Sequence, residues 1–175
     1  LLGFTPILDS AFTGLLETDL DAKVVAARKA LETNDVVWLH AKGSDIAAHD
    51  CRPEAKRDYL ERLDAALASF VGADLVIGVA ADHTTDSNTG CHTSDPVPVL
   101  LHHVGGRRDD ATSFGERACM RGGLGRLRSS EFLRVLLSAA GWLPPAPRPP
   151  VEDASSDEVQ PDEARTREDP SPDRA

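Results

Sequence analysis

Two short apolar runs, each opening into a polar stretch full of acids and imidazoles, constrain this chain more than any other feature. They are Asp35-Val-Val-Trp-Leu-His-Ala41 and Asp74-Leu-Val-Ile-Gly-Val-Ala-Ala81, rich in β-branched residues and without clean in–out alternation. A run of that kind suits a strand covered on both faces, as in a parallel sheet. Around them the pattern turns helical. Leu20, Val24, Ala27 and Leu31 recur at helical spacing, with Thr18 or Asp19 placed to cap. Pro53 suits a first helical position, and Tyr59, Leu60, Leu63, Leu67 and Phe70 mark a core face running to about Val71. Phe132, Val135, Leu136 and Ala139 mark a last helix. Leu1–Leu8 is apolar enough for a short strand, and Pro96–Val104 reads as another, nearer an edge because of its two prolines. The order strand, helix, strand, helix, strand, loop, strand, helix predicts an α/β fold: a mostly parallel sheet with helices on both faces.

The charge is uneven. Of the net −10, residues 151–175 contribute −6, from nine acids against Arg165, Arg167 and Arg174. Eight of the twelve prolines lie between Pro144 and Pro172. Such a stretch cannot bury enough apolar surface to offset the entropy of ordering. Residues 1–143 are therefore expected to form one domain, and residues 144–175 a Pro-rich, acidic, disordered tail. A sequence pI near 5.0 argues against nucleic acid as a partner. The chain contains no run of 18 apolar residues, so no membrane partner is expected. Cys51, Cys91 and Cys119 are odd in number and lack CxxC spacing. With no charged, then apolar, leader at the start, the expectation is a reducing, cytoplasmic setting without a disulfide framework. The first residue is leucine, from which a longer gene product is expected.

In open α/β sheets ligands bind beyond the carboxyl ends of the strands, and there the unusual residues gather. After the first run, Asp45 and His49 form a D-x-x-x-H pair, spaced to face one point within a helical turn. A carboxylate oxygen and an imidazole nitrogen suit a divalent cation such as zinc or manganese; alone, the pair reads more readily as a polar loop with a capping aspartate. After the second run come Asp82-His83-Thr84-Thr85, and before the last strand Cys91-His92-Thr93-Ser94-Asp95-Pro96-Val97-Pro98. Three such groupings at strand ends are far less ordinary than any one of them. Lys42 beside the first pair, and Arg117, Arg121 and Arg126 around a glycine-rich loop, are read as exposed or structural. So are His40 and the adjacent His102 and His103. The cysteines have no accompanying set for thiol catalysis.

Together, Asp45-x-x-x-His49, Ala81-Asp82-His83-Thr84-Thr85 and His92 through Pro98 resemble the metal-binding part of the alkaline phosphatase superfamily. The closest likeness is the archaeal-type, 2,3-bisphosphoglycerate-independent phosphoglycerate mutase family. Thr13-Gly14, Glu17 through Lys23, His40 through Asp45, Phe114-Gly115-Glu116-Arg117 and Gly122 through Arg126 extend the likeness in order, from about residue 10 to 142. The resemblance implies two divalent ions (manganese, magnesium or zinc). It assigns Asp45, His49 and His92 to one ion, and Asp82 and His83 to the other together with an aspartate and a nucleophilic serine. That serine lies in an upstream N-terminal segment of the enzyme, so no catalytic nucleophile is expected within these 175 residues, which alone should be inactive. The implied substrate is a phosphorylated small molecule, with 3- and 2-phosphoglycerate interconverted in glycolysis. A related phosphatase or phosphonate-metabolite enzyme, or an inactive metal-binding module, is the alternative. The chain departs from the family pattern at Ala48, at Cys51-Arg52, where the family shows glycines around the motif, and at Asp86, where it shows proline.

Overall fold

The computed structural model describes residues 3–144. The expected acidic tail, apart from its first residue, lies outside them. Helix α1 spans Leu20–Leu31 and starts where Asp19 accepts a hydrogen bond from the Ala22 amide at 2.8 Å. That satisfies one of the orphan amides of the first turn. Helix α2 is Gly43–His49, inside what reads from sequence as a polar loop. Helix α3, Pro53–Leu67, opens on its proline and runs into a 3₁₀ turn, Ala68–Phe70. The core forms where α1 and α3 meet: Leu20, Val24 and Ala27 pack with Tyr59, Ala66 and Phe70. Tyr59 is fully buried. Its ring lies under Gly43, where a Cβ would stand 2.3 Å from a ring carbon. Only glycine lets α2 settle this closely on α3.

Strand β1, Ile77–Ala80, pairs with β4, Val99–His102, and β2, Thr84–Asp86, pairs with β3, Cys91–Thr93. Both ladders are antiparallel, with Ile77 opposite His102 and Thr85 opposite His92. Among the described residues the expected parallel sheet is thus replaced by two small antiparallel ladders. The reason lies between β1 and β4. Parallel pairing needs a crossover that carries the chain back to its starting end. Here the intervening residues are spent on the β2–β3 hairpin, and the chain returns from the opposite end. Asp86 organises the hairpin turn: its side chain accepts from the Asn88 amide at 2.9 Å and from the Thr89 hydroxyl at 3.2 Å. Gly90 closes it at φ +67°.

The expected strand over 35–41 forms no ladder among the described residues. Val37, Leu39 and Ala41 pack on the core, while Val36, Trp38 and His40 face outward. Residues 3–8 likewise form no strand. Lys23 ties this side together, donating from Nζ to the carbonyls of Thr13 (3.2 Å) and His40 (3.1 Å). Helix α4, Glu116–Cys119, interrupts the glycine-rich loop, and α5, Ser129–Ala139, follows. Leu136 of α5 lies against Gly78 of β1, leaving no room there for a Cβ.

Candidate metal centre

Helix and strand periodicities converge on one point beside α2. Asp45 and His49 lie one turn apart on that helix, with Asp45 Oδ1 3.4 Å from His49 Nε2. His83 immediately precedes β2, and its Nδ1 lies 3.3 Å from the hydroxyl of Thr85 within the strand. His92 of β3 stands directly across from Thr85, and cross-strand partners share a face. One ligand atom each from Asp45, His83 and His92 lies within 4.8 Å of the others. His49 joins them, its Nε2 3.1 Å from His92 Nε2. The His83 and His92 rings are 3.9 Å apart, centroid to centroid. Asp82 precedes His83 in the bend that leads into β2. Its Oδ2 is 3.5 Å from His83 Nε2, yet its side chain is 85% exposed. The structure therefore gathers Asp45, His49, His83 and His92, with Asp82 at the rim.

Proton placement follows from the partners. The Gly90 carbonyl can only accept, so His49 Nδ1, 2.8 Å away, carries the hydrogen. His49 Nε2 is then the nitrogen left to face His92 Nε2 at 3.1 Å and the Asp45 oxygen at 3.4 Å, where a cation would be held. One carboxylate and several imidazoles form the donor set that a borderline divalent ion prefers, and the residues present fit such an ion. Burial pushes the Asp45 carboxyl up, but hydrogen bonds from Lys42 and Thr85 and the charges of Lys42 and His49 outweigh it, leaving it below the ordinary carboxylate range. Asp45 is thus an anionic donor at neutral pH. Lys42 Nζ lies 2.8 Å from Asp45 Oδ2, and that bond, with the Asp45 charge, raises the ammonium pKa.

Two contributors were not legible as such. Thr85 is buried, and its hydroxyl is 2.9 Å from Asp45 Oδ1 and 3.3 Å from His83 Nδ1. The Gly90 carbonyl orients His49. The available signal was spacing: Thr85 lies two residues beyond His83 in a β-branched pair. The glycine-rich loop near Arg117, Arg121 and Arg126 serves its own chain. The Gly123 amide donates to Asp109 Oδ2 at 2.5 Å and the Ala111 amide to Asp109 Oδ1 at 3.0 Å. His40 and His103 stand apart from the cluster, and the buried His102 Nε2 has no hydrogen-bond partner among the described residues. No disulfide joins Cys51, Cys91 and Cys119.

Comparison with known proteins finds relatives of the chain. A family model described as the metalloenzyme superfamily matches residues 12–139. A 2,3-bisphosphoglycerate-independent phosphoglycerate mutase from Archaeoglobus fulgidus is 39% identical over 140 residues, covering 78% of this chain and 34% of the relative. One from Methanosphaerula palustris is 43% identical over 126 residues, covering 71% of this chain and 31% of the relative. A solved structure of a Pyrococcus horikoshii protein superposes with a TM-score of 0.78 at 34% identity, covering 81% of this chain and 44% of that one. The chain thus spans about a third of the length of these curated relatives.

Proposed function

This chain belongs to the metalloenzyme superfamily, and from that premise we propose that it supplies the metal-holding part of an enzyme that moves a phosphoryl group between the hydroxyls of phosphoglycerate. The observation that carries the reading is the convergence of Asp45, His49, His83 and His92 from three separate segments. Asp45, His49 and His92 would hold one divalent ion, and His83 with Asp82 would contribute to a second. The serine nucleophile and its aspartate would come from the part of the relatives' length that these residues do not span. The mostly parallel sheet belongs to that complete assembly, with the segment 36–41 as one of its strands.

The chain's own residues prepare this site. Asp45 stays ionised because Lys42 and Thr85 stabilise its charge. Gly90 fixes the His49 ring so that Nε2 faces inward. The α2–hairpin seam sets the spacing of the donors. Ions bound there would neutralise phosphate oxygens and make a serine hydroxyl more acidic. Phosphoryl transfer asks little else of a protein than such positioning and charge stabilisation.

Titration of the chain with Mn²⁺, read by electron paramagnetic resonance, should show uptake that H49A and H92A each weaken by tenfold or more. A chimera joining residues 12–139 to the remaining two thirds of the Archaeoglobus fulgidus relative should interconvert 3- and 2-phosphoglycerate in manganese. A folded chimera that takes up manganese but turns over neither compound overturns the mutase reading; release of free phosphate instead would reassign the centre to hydrolysis.

A further inference from the structure

We propose that Thr85 is a positioning residue that locks His83 in its Nδ1–H tautomer and couples the two halves of the candidate centre; its effect on metal rests on the proposed function, while the tautomer does not. The argument is one of hydrogen counting. A threonine hydroxyl has one hydrogen to give and two lone pairs to accept with. Ionised Asp45 can only accept, so the 2.9 Å contact to Oδ1 consumes the Thr85 hydrogen. The 3.3 Å contact to His83 Nδ1 must then run the other way, with the imidazole donating. With the hydrogen at Nδ1, the His83 lone pair is left at Nε2, whose contact with the 85%-exposed Asp82 Oδ2, at 3.5 Å, is longer than the 3.3 Å contact of Nδ1 with the buried hydroxyl. The hydrogen bond made by one ring nitrogen thus decides which nitrogen is left free as a donor atom.

Thr85 is built to hold that arrangement. It is 5% exposed. Its backbone carbonyl accepts from Lys56 Nζ of α3 at 3.1 Å, and its place in the ladder opposite His92 fixes its direction. One hydroxyl therefore touches a residue of each assigned ion set, Asp45 of the first and His83 of the second, across 40 residues of sequence. Valine has the same shape and no hydroxyl; serine keeps the hydroxyl and loses the methyl.

The test is a long-range ¹⁵N–¹H spectrum of the metal-free, ¹⁵N-histidine-labelled chain. His83 should show hydrogen on Nδ1 in the parent and in T85S, and shift toward Nε2–H in T85V. Mn²⁺ affinity should fall on the order of 10–100-fold in T85V and stay within about threefold in T85S, since second-sphere partners act at that scale. A His83 protonated on Nε2 in the parent, or unmoved in a folded T85V, overturns the inference, and the parent spectrum decides even if T85V does not fold. Parent protein that takes up no manganese but shows the Nδ1–H tautomer sinks the proposed function and leaves the lock standing.

Discussion

Helices α1 and α3 bury Leu20, Val24, Ala27, Tyr59 and Ala66, whereas α5, with an equally clear stripe of Phe132, Val135, Leu136 and Ala139, buries no residue. Both patterns say that one helix face needs cover. Only in the first case does the described chain supply it, because α3 and the segment 36–41 return across α1. For α5 the described cover is β1, met at Leu136 over Gly78. The polar cluster lies on the well-covered side. Its hydrogen bonds need a rigid backbone, and α2 obtains one by resting Gly43 on the Tyr59 ring.

The contrast is broken most directly by truncating one anchor on each side. Y59A should cost about 3–5 kcal/mol in urea unfolding, the range for emptying a buried aromatic site. L136A, at a half-buried position, should cost about 1–2 kcal/mol. Equal losses would mean that α5 is as firmly seated as α3. Y59F sharpens the point. The Tyr59 hydroxyl has no well-formed partner among the described residues, so its removal should be nearly neutral.

A smaller effect of the same burial is read by pH. Burial pushes the Tyr59 phenol above its ordinary value, with the nearby Gly43 backbone and Arg62 offsetting only part. The folded state thus holds this proton more tightly than the unfolded chain. Its contribution to stability is complete below about pH 10, the unfolded phenol value, and is lost as pH rises through the folded value. Tyr59 is the chain's single tyrosine, so tyrosinate absorbance reports it alone. Absorbance should rise together with loss of helix by circular dichroism; a phenol titrating at its ordinary value in folded protein would contradict the burial.

Helices were the most legible part of this molecule, since period, cap and proline are written within one segment. Leu20–Leu31, Pro53–Leu67 and Ser129–Ala139 fall where apolar spacing and the Asp19 and Pro53 signals put them. Sheet pairing was not legible, because it depends on how a loop is spent. Residues 82–95 read as polar loop, and the hairpin within them turns β4 antiparallel to β1. The residues of the centre could be read by type, since few side chains offer imidazole or carboxylate in that order. Their second neighbours could not. Thr85 and the Gly90 carbonyl act through hydrogens and lone pairs whose directions exist only once α2 rests on the hairpin.

A last contrast comes from the segment that reads as a strand and pairs with nothing described. Among the described residues, Val36–Leu39 makes no backbone-to-backbone hydrogen bond, yet its side chains alternate as a strand's do. Trp38 is 74% exposed, meeting Phe4 edge-on at 6.3 Å. W38S should therefore cost under about 1 kcal/mol in this chain, the scale of one exposed aromatic pair, while L39A on the inner side costs about 2 kcal/mol or more. In the chimera with the Archaeoglobus fulgidus relative the order should reverse: W38S becomes the costlier change and Trp38 fluorescence moves to the blue, because the outer face is then covered. If W38S stays harmless and the emission stays red in a folded chimera, segment 36–41 is an edge in the whole enzyme too, and the sheet proposed around it does not form.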